Sequence, residues 1–319
     1  MKIMKRVLIT SRSFGEVDPR PMGLLRENGF ELVKREQTGL LSEEDFIRLI
    51  PAYDALIIGA DRLTPRVMDA ARRLKLVCKH GTGLDNIDLD AAKAHQIKVT
   101  NVPAVNADAV ADITMALMLD VSRKVSCAAA KVKSGHWERY IGKDICHKKL
   151  GIIGLGTIGQ KVAQRAKGFD MHVNAYDPFI SAAPENLDFV HLMPFDRLIE
   201  ESEIITIHVP LTDATRGMIS NEQMERMREE AILINTARGG IVDEDALYRH
   251  LVRGHLGGAG LDVTEKEPPV GSPLLTLDNV TIIPHIASYS KEALNRVSMI
   301  CAQNIINLFA GNPLQYVCC

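Results

Sequence analysis

Short apolar segments alternate with helical patterns along most of this 319-residue chain. Several of the apolar segments carry no polar residue, which is typical of strands that are covered on both faces of a sheet. An alternation of this kind predicts parallel sheets flanked by helices. The predicted strands are residues 6–10, 31–33, 55–58, 76–78, 97–100, 150–153, 173–176, 204–209, 231–235, 258–263 and 280–283.

Two long helical patterns interrupt this alternation. Residues 105–133 contain neither Gly nor Pro and predict one unbroken helix, suited to a connection between domains or to a contact between subunits. A last helix over about residues 291–309 ends at Gly311 and is expected to fold back onto the first part of the chain. Since strands lie on both sides of the first long helix, we predict two α/β domains, each a doubly wound parallel sheet, and the length is sufficient for both.

Composition excludes several classes of protein. The chain has 38 Lys and Arg against 40 Asp and Glu, a net charge of −2, so no overall basic excess favours nucleic acid or an anionic membrane. None of the six cysteines lies in a C-x-x-C pair or at zinc-ligand spacing with a histidine. No apolar run is long enough to span a bilayer, and no cleavable leader is visible. We therefore expect a cytoplasmic protein with neither a metal nor a nucleic-acid or membrane partner.

The strongest local motif is a glycine-rich turn that follows a predicted strand and opens a predicted helix. Gly154 permits the tight turn, Gly156 lets the backbone approach a pyrophosphate, and Gly159 lets helix and strand pack closely. The helix N-terminus offers N–H groups and partial positive charge to phosphates. Asp177 ends the next strand and is placed to accept hydrogen bonds from a ribose, which favours NAD over NADP. Glycines that serve packing alone are the alternative interpretation.

Three polar residues follow strands in the second half of the chain. The carboxyl ends of parallel strands line the ligand crevice of a doubly wound sheet, so Arg238, Glu267 and His285 lie where chemistry is expected. Arginine can hold a carboxylate and polarise a carbonyl, and histidine can take a hydroxyl proton. A neighbouring glutamate would favour the imidazolium and raise the histidine pKa. Taken singly, each has a structural alternative, namely a core histidine, a loop arginine or a solvated loop charge.

Four motifs in this order resemble the D-isomer-specific 2-hydroxyacid dehydrogenases, most closely the phosphoglycerate dehydrogenase-like branch. They are residues 154–159 (GLGTIG), 235–243 (NTARGGIVD), 260–268 (GLDVTEKEP) and 284–287 (PHIA), and residues 80–88 (HGTGLDNID) resemble the substrate loop of that family. The resemblance implies a Rossmann NAD-binding domain, residues 104–286, inserted in a flavodoxin-like substrate domain made of residues 1–103 and 287–319. It also implies a homodimer, with residues 107–133 contributing to the contact.

The resemblance implies a role for each matched position. Arg238, Glu267 and His285 would be the catalytic arginine, the supporting acid and the acid/base. The residues implied to bind substrate are Lys79, Thr82, Gly83 and Arg238. The residues implied to bind NAD are Gly154, Gly156, Thr157, Ile158, Gly159, Asp177, Val209, Pro210, Thr236, Asp262 and His285.

Several departures from the family pattern lie near these motifs. Ala287 replaces a usual glycine, Thr264 a usual phenylalanine and Asp112 a common glutamate. The arginine that often follows the third strand is absent, which leaves Lys79 and Arg62 as candidates to hold an anionic substrate tail. The expected activity is hydride transfer between NAD and a small 2-hydroxy or 2-keto acid, with 3-phosphoglycerate as the first substrate.

Two alternatives stay open. One is reduction of glyoxylate or hydroxypyruvate, and the other, from a different class, is an NAD-sensing corepressor-like binding protein. Because the chain ends soon after its last predicted helix, we expect no additional C-terminal regulatory domain.

Overall fold

A computed structural model describes residues 4–36 and 39–319. Its strands, numbered along the chain, are β1 (Lys5–Ile9), β2 (Phe30–Lys34), β3 (Ala55–Ile58), β4 (Leu76–Lys79), β5 (Lys98–Thr100), β6 (Lys149–Ile153), β7 (His172–Tyr176), β8 (His191–Leu192), β9 (Ile204–Ile207), β10 (Ala231–Asn235), β11 (Leu256–Leu261) and β12 (Val280–Ile282). The helices are α1 (Arg20–Glu27), α2 (Glu43–Leu49), α3 (Pro65–Ala70), α4 (Leu89–Ala94), α5 (Ala107–Arg123), α6 (Val125–Lys133), α7 (Thr157–Lys167), α8 (Phe195–Glu201), α9 (Asn221–Arg226), α10 (Glu244–Val252) and α11 (Lys291–Ala310).

The chain divides into two compact units. The first contains the described residues up to Asn106 together with Tyr289–Cys319, and the second is Ala107–Ser288. The division lies within a few residues of the boundaries predicted after residues 103 and 286. The assignment of substrate to the first unit and of NAD to the second stays a prediction.

The first unit is built on a five-stranded parallel sheet in the order β2-β1-β3-β4-β5. This is the flavodoxin-like strand order. Helix α11 begins at the capping residue Ser290, ends at Gly311 with φ +77°, and packs against α1 and β4. The prediction that the last helix returns to the first part of the chain is therefore confirmed.

The second unit is built on a seven-stranded parallel sheet in the order β12-β11-β10-β9-β6-β7-β8. Counted from β6, this is the Rossmann order extended by one strand. The predicted fold class, two doubly wound parallel sheets, is confirmed. Apolar residues of β6, β9 and β10 are buried on both faces of this sheet, because helices cover both sides.

The prediction of one unbroken helix over residues 105–133 is wrong. The helix breaks at Lys124, whose backbone is left-handed with φ +53°, so that α5 and α6 are separate. Helix α5 buries one face against α7, β10 and β11, whereas α6 contains no buried residue. The apolar pattern of α5 is thus explained by the core of its own unit.

The strands differ from the predicted ones mainly at their ends. Strand β9 ends at Ile207 rather than at residue 209, and β11 runs two residues earlier than predicted. The two-residue strand β8 was missed. All six cysteines are free thiols. Within residues 4–36 and 39–319, no helix has both the length and the apolar character needed to cross a bilayer.

Candidate active site

The glycine turn between β6 and α7 has the geometry that a dinucleotide requires. Gly154 has φ +93° and donates its N–H to the Tyr176 carbonyl at 2.8 Å. A Cβ on Gly159 would lie 2.1 Å from the Gly154 carbonyl oxygen, so only glycine lets helix and strand approach this closely. A Cβ on Gly156 would meet nothing within 4 Å, and no side chain caps α7. Open space thus lies before a helix N-terminus, and a pyrophosphate fits there.

Asp177 lies beside this turn, directly after β7. One oxygen of its carboxylate accepts the Leu155 N–H at 2.9 Å, and the other accepts the Phe179 N–H at 2.9 Å. The two hydrogen bonds fix the carboxylate at the edge of the turn, where a ribose attached to the pyrophosphate would lie. A fixed negative charge there opposes a 2′-phosphate.

The other predicted cofactor residues also lie along the carboxyl ends of the strands. A Cβ on Gly154 would approach Val209 Cγ1 to 2.8 Å, so Val209 borders the turn, and Pro210 next to it is exposed. Thr157 is exposed and Ile158 half-buried at the start of α7. Thr236 is buried, and its hydroxyl shares a 2.9 Å hydrogen bond with the Thr114 hydroxyl of α5. The contribution of Thr114 was not predicted, because the sequence around it contains no motif that indicates a polar contact.

Arg238 is carried by a tightly held loop after β10. The Asn235 side chain donates to the Arg238 carbonyl at 2.9 Å and accepts from the Ala237 N–H at 3.0 Å. A Cβ on Gly239 would lie 2.0 Å from the Thr264 carbonyl oxygen. The glycine therefore brings the loop of Arg238 against the loop after β11 that carries Glu267.

Glu267 and His285 form a hydrogen-bonded pair. His285 Nδ1 and Glu267 Oε2 are 2.9 Å apart, and both side chains are about half-exposed. The second carboxylate oxygen of Glu267 accepts the Thr264 N–H at 3.3 Å. His285 adopts a left-handed backbone with φ +52° and donates its N–H to the Asp262 carbonyl at 2.9 Å. The pair is thus fixed from both sides by backbone hydrogen bonds.

The interaction between the two side chains raises the pKa of His285 and lowers the pKa of Glu267. The hydrogen bond that His285 donates to Glu267 is the largest influence on His285 and raises its pKa, although burial and the charge of Arg238 oppose the shift. Burial acts to raise the pKa of Glu267, but the hydrogen bond and charge of His285, with a smaller effect of Arg238, bring the pKa below its ordinary value. Because Arg238 acts on both groups, the three predicted catalytic side chains lie in one electrostatic environment.

The buried carboxylate of Asp262 holds the loop that carries His285. Its side chain is 2% exposed and accepts the N–H groups of Ile286 at 2.6 Å and of Ala287 at 3.1 Å. Burial raises the pKa of Asp262, although these two N–H donors oppose the shift. The contact with a nicotinamide that the family resemblance implies for Asp262 stays a prediction. Its part in holding the loop of His285 was not foreseen.

The departures from the family pattern have local structural explanations. Thr264 is buried and donates its hydroxyl to the Lys266 carbonyl at 2.9 Å, which shapes the Glu267 loop. Asp112 pairs with Arg165 at 2.6 Å on α7. Ala287 is buried with its N–H on Asp262.

The predicted substrate loop lies in the first unit, after β4. Lys79 Nζ donates to the Gly59 carbonyl and to Asn86 Oδ1, both at 2.7 Å. Thr82 donates its hydroxyl to the Val102 carbonyl at 3.0 Å, and Gly83 follows it in the loop. Lys79 is therefore held by oxygen acceptors of its own unit.

His80 is a residue of this loop that sequence reasoning left without a role. Its two ring nitrogens hydrogen-bond to the hydroxyls of Ser13 at 3.2 Å and Ser298 at 2.8 Å. Burial, helped by the charges of Lys79 and Lys34, lowers its pKa to about 4. A neutral histidine thus joins the predicted substrate loop to two other segments of the first unit.

Two arginines that precede this loop in the chain form ion pairs. Arg66 forms ion pairs with Glu43 and Glu44, and Arg73 pairs with Asp54 at 2.8 Å. Both arginines are therefore neutralised by acidic side chains of their own unit.

The second unit is thus a dinucleotide-binding Rossmann domain with an arginine, a glutamate and a histidine at the carboxyl ends of its sheet. Residues 115–287 match the family model described as D-isomer specific 2-hydroxyacid dehydrogenase, NAD binding domain. The chain belongs to this family. Its second unit is accordingly a domain for a nicotinamide cofactor.

Individual relatives agree with the family assignment. The chain is 43% identical to D-3-phosphoglycerate dehydrogenase of Archaeoglobus fulgidus over 91% of its length and 55% of that protein. It is 41% identical to hydroxypyruvate reductase of Thermotoga maritima over 86% of the chain and 92% of that protein. The crystal structure of the TT0316 protein from Thermus thermophilus superposes with a TM-score of 0.91 and 35% identity, covering 98% of this chain and 100% of the other. The chain spans about half the length of the phosphoglycerate dehydrogenase that it matches.

Proposed function

We propose that this protein is an NAD-dependent dehydrogenase that interconverts a small D-2-hydroxy acid and its 2-keto acid. The hydrogen bond between His285 and Glu267, in the field of Arg238, is the observation that carries the proposal. These side chains follow β12, β11 and β10, three neighbouring strands of the sheet that also carries the glycine turn.

In the proposed mechanism, bound NAD supplies the hydride acceptor and NADH the donor. Glu267 holds Nδ1 of His285, which leaves Nε2 as the ring atom that exchanges a proton with the substrate oxygen. His285 takes the hydroxyl proton during oxidation and returns it during reduction. Glu267 stabilises the imidazolium that forms. The Arg238 guanidinium binds the substrate carboxylate and polarises the neighbouring carbonyl.

The proposed cofactor is NAD rather than NADP. Support comes from Asp177, whose carboxylate is held by two backbone N–H groups at the edge of the turn. A 2′-phosphate at this position would meet that negative charge at close range.

The proposed first substrate is 3-phosphoglycerate, or its keto form in the reverse direction. Its support is the 43% identity to the phosphoglycerate dehydrogenase of A. fulgidus. Thr82 and Gly83 would offer N–H groups to the carboxylate, and Lys79 would lie near an anionic tail. Reduction of hydroxypyruvate or glyoxylate is the second candidate, and the 41% identity to a hydroxypyruvate reductase favours it.

A panel of keto acids tests the activity and separates the two candidates. NADH oxidation would be measured with 3-phosphohydroxypyruvate, hydroxypyruvate and glyoxylate, using wild type and His285→Ala. We expect turnover of at least one acid, a preference for the phosphorylated one, and a loss of about 10²-fold or more in kcat in the variant. Equal rates with and without the phosphate would favour the second candidate. Retention of most turnover by His285→Ala would refute the mechanism.

The proposed assembly is a homodimer whose contact includes α6. Support comes from apolar side chains on α6 and in the segment after it: Val125 and Val132 are about half-exposed, Trp137 is 81% exposed and Ile141 is 98% exposed. A second copy of the chain would cover such residues. Light scattering after size exclusion is expected to give twice the chain mass for wild type and a single chain mass for Trp137→Glu/Ile141→Glu. The cytoplasmic location stays a prediction from the sequence.

A further inference from the structure

A cluster of metal-ligand side chains lies in the second unit, away from the Arg238 loop. It consists of Glu225 on α9, His250 near the end of α10, and His255 immediately before β11. One ligand atom of each lies within 4.8 Å of the others. We refer to these three residues as the Glu225 cluster. The start of α10 contacts the Glu267 loop through Glu244, so the cluster lies near the opposite end of that helix.

Hydrogen bonds fix the tautomer of both histidines in the cluster. His255 Nε2 lies 2.9 Å from the Met224 carbonyl oxygen, which can only accept, so Nε2 carries the proton. His250 Nδ1 lies 2.9 Å from the Nη2 donor of Arg253, and its Nε2 faces Asn221 Oδ1 at 3.3 Å. In both rings Nδ1 is therefore the atom with a lone pair. Metal-ligating histidines show the same division, with one nitrogen on the metal and the other N–H on a protein oxygen.

The guanidinium of Arg253 already lies within the Glu225 cluster. Arg253 Nη2 donates to Glu225 Oε2 at 2.7 Å as well as to His250 Nδ1 at 2.9 Å. The guanidinium thus contacts two of the three candidate ligands. Arg253 is 46% exposed and extends from the protein surface, so it can swing into solvent without opening the core.

We propose that the Glu225 cluster is a Zn²⁺ site in which Arg253 is an internal competitor for the metal. Two imidazoles and one carboxylate are a common donor set for zinc, with water as the fourth ligand. Bonds of about 2.1 Å in a tetrahedral site place ligand atoms about 3.4 Å apart, so the ligands need to approach one another by at most about 1.4 Å. Glu225 is 48% exposed, so its side chain has room to adjust toward the two histidines.

The backbone elements that carry the two histidines are well placed to hold them. His250 is only 1% exposed on α10, so its ring is fixed by the packing around it. Bound zinc would join α9, α10 and the start of β11, which gives the site a structural role.

Zinc binding by the full-length, untagged protein tests the proposal. The protein would be stripped with a chelator and titrated with ZnCl₂ by calorimetry at pH 7.5. We expect Arg253→Gln to bind one equivalent at least tenfold more tightly than wild type, because the competing cation is removed. We expect Glu225→Gln and His255→Gln to weaken this equivalent 10- to 100-fold. The amide introduced by His255→Gln can still donate to the Met224 carbonyl, which preserves the local fold.

Two controls distinguish this site from others on the protein. His95→Gln removes an exposed histidine that pairs with Asp69 in the first unit, and it should leave zinc binding unchanged. Co²⁺ in place of Zn²⁺ should give no thiolate-to-cobalt charge-transfer absorption, which would otherwise indicate the free cysteines. The proposal is overturned if neither wild type nor Arg253→Gln binds zinc. It is also overturned if Glu225→Gln and His255→Gln bind as tightly as wild type.

Discussion

Replacing Glu267 with glutamine removes one charge from the proposed proton-transfer pair, together with the long hydrogen bond that Glu267 accepts from the Thr264 N–H. The amide oxygen of the substituted side chain can still accept the hydrogen bond of His285 Nδ1, which in the wild type spans 2.9 Å, so the ring keeps its orientation. What is lost is the negative charge that stabilises the imidazolium. The variant therefore separates the electrostatic part of the interaction from its geometric part.

The expected size of the effect follows from the exposure of the pair. A hydrogen bond to a charged group contributes about 1.5–3 kcal/mol. His285 and Glu267 are 48% and 40% exposed, so solvent screening reduces the effect to about 1 kcal/mol. This corresponds to about a fivefold lower kcat at neutral pH for the step in which His285 takes a proton.

The Glu267→Gln substitution should also shift the pH dependence of the rate, and the pKa of His285 determines the direction of that shift. Reduction of the keto acid needs protonated His285, so its rate is high below the His285 pKa and falls as pH rises through it. Glu267 is the main cause that raises this pKa, whereas burial and Arg238 lower it. In Glu267→Gln the descending limb should therefore move to lower pH. The ascending limb of hydroxy-acid oxidation, which needs neutral His285, should move in the same direction.

The same linkage applies to stability. The raised pKa of His285 contributes stability that is complete below about pH 6.5 and is lost as pH rises through the folded-state value. The lowered pKa of Glu267 contributes stability above about pH 4.5 that is lost as pH falls further. The pair should therefore stabilise the fold most between these values. The difference in the free energy of unfolding between wild type and Glu267→Gln should be largest there, at about 1 kcal/mol or less.

Initial rates of NADH oxidation and NAD reduction from pH 5 to 10, on wild type and variant, measure these limbs. Glu265→Gln, an exposed acid two residues away, is the matched control and should leave both limbs in place. If Glu267→Gln lowered kcat without moving either limb, the proposed electrostatic coupling would be refuted. A shift of the limbs to higher pH would refute it as well.

Four further substitutions test the proposed cofactor turn and the predicted substrate loop. Asp177→Ser should raise the ratio of kcat/KM for NADPH to that for NADH by 10-fold or more, since the repelling charge is removed, and an unchanged ratio would argue against its role. Gly159→Ala should unfold or strongly destabilise the protein in thermal melts, because its Cβ would lie 2.1 Å from a carbonyl oxygen, whereas Gly156→Ala, with open space, should keep the wild-type Tm and weaken NADH binding by fluorescence titration. His80→Ala should lower the free energy of unfolding by about 2 kcal/mol at pH 7, because two hydrogen bonds are lost. Since the pKa of buried His80 is lowered to about 4, wild type should lose stability as pH falls from about 6.5 to 4, and His80→Ala should lose less over that range in urea titrations.

Much of the fold could be predicted because the sheets are parallel. Strands covered on both faces are short apolar runs, and eleven such runs correspond to strands of the structure. Strand β8 was missed because two residues give no periodicity. The break at Lys124 was missed because a left-handed residue other than glycine leaves no compositional mark.

The candidate site residues could be predicted from the sequence, but the residues that hold them in place could not. Glycine spacing marked the dinucleotide turn, and the positions after strands marked Arg238, Glu267 and His285 as candidate catalytic residues. The residues that hold them gave no such signal. Asp262 acts through buried contacts with two N–H groups, and Gly239 acts through a close approach to a distant loop. Such contacts depend on tertiary packing, which a single sequence does not specify.

The order of strands in the second unit connects these elements into one functional arrangement. From β7 across β6, β9, β10 and β11 to β12, the carboxyl ends carry in turn Asp177, the glycine turn, Val209, Arg238, Glu267 and His285. Five intervals between adjacent strands span about 24 Å. An extended dinucleotide with its ribose at Asp177 and its pyrophosphate at the turn would therefore run along this edge toward the histidine. The order of strands places Asp177 and the His285–Glu267 pair on opposite sides of the turn. A change of strand order would therefore separate the proposed cofactor-binding acid from the proposed proton-transfer pair, even if every side chain were retained.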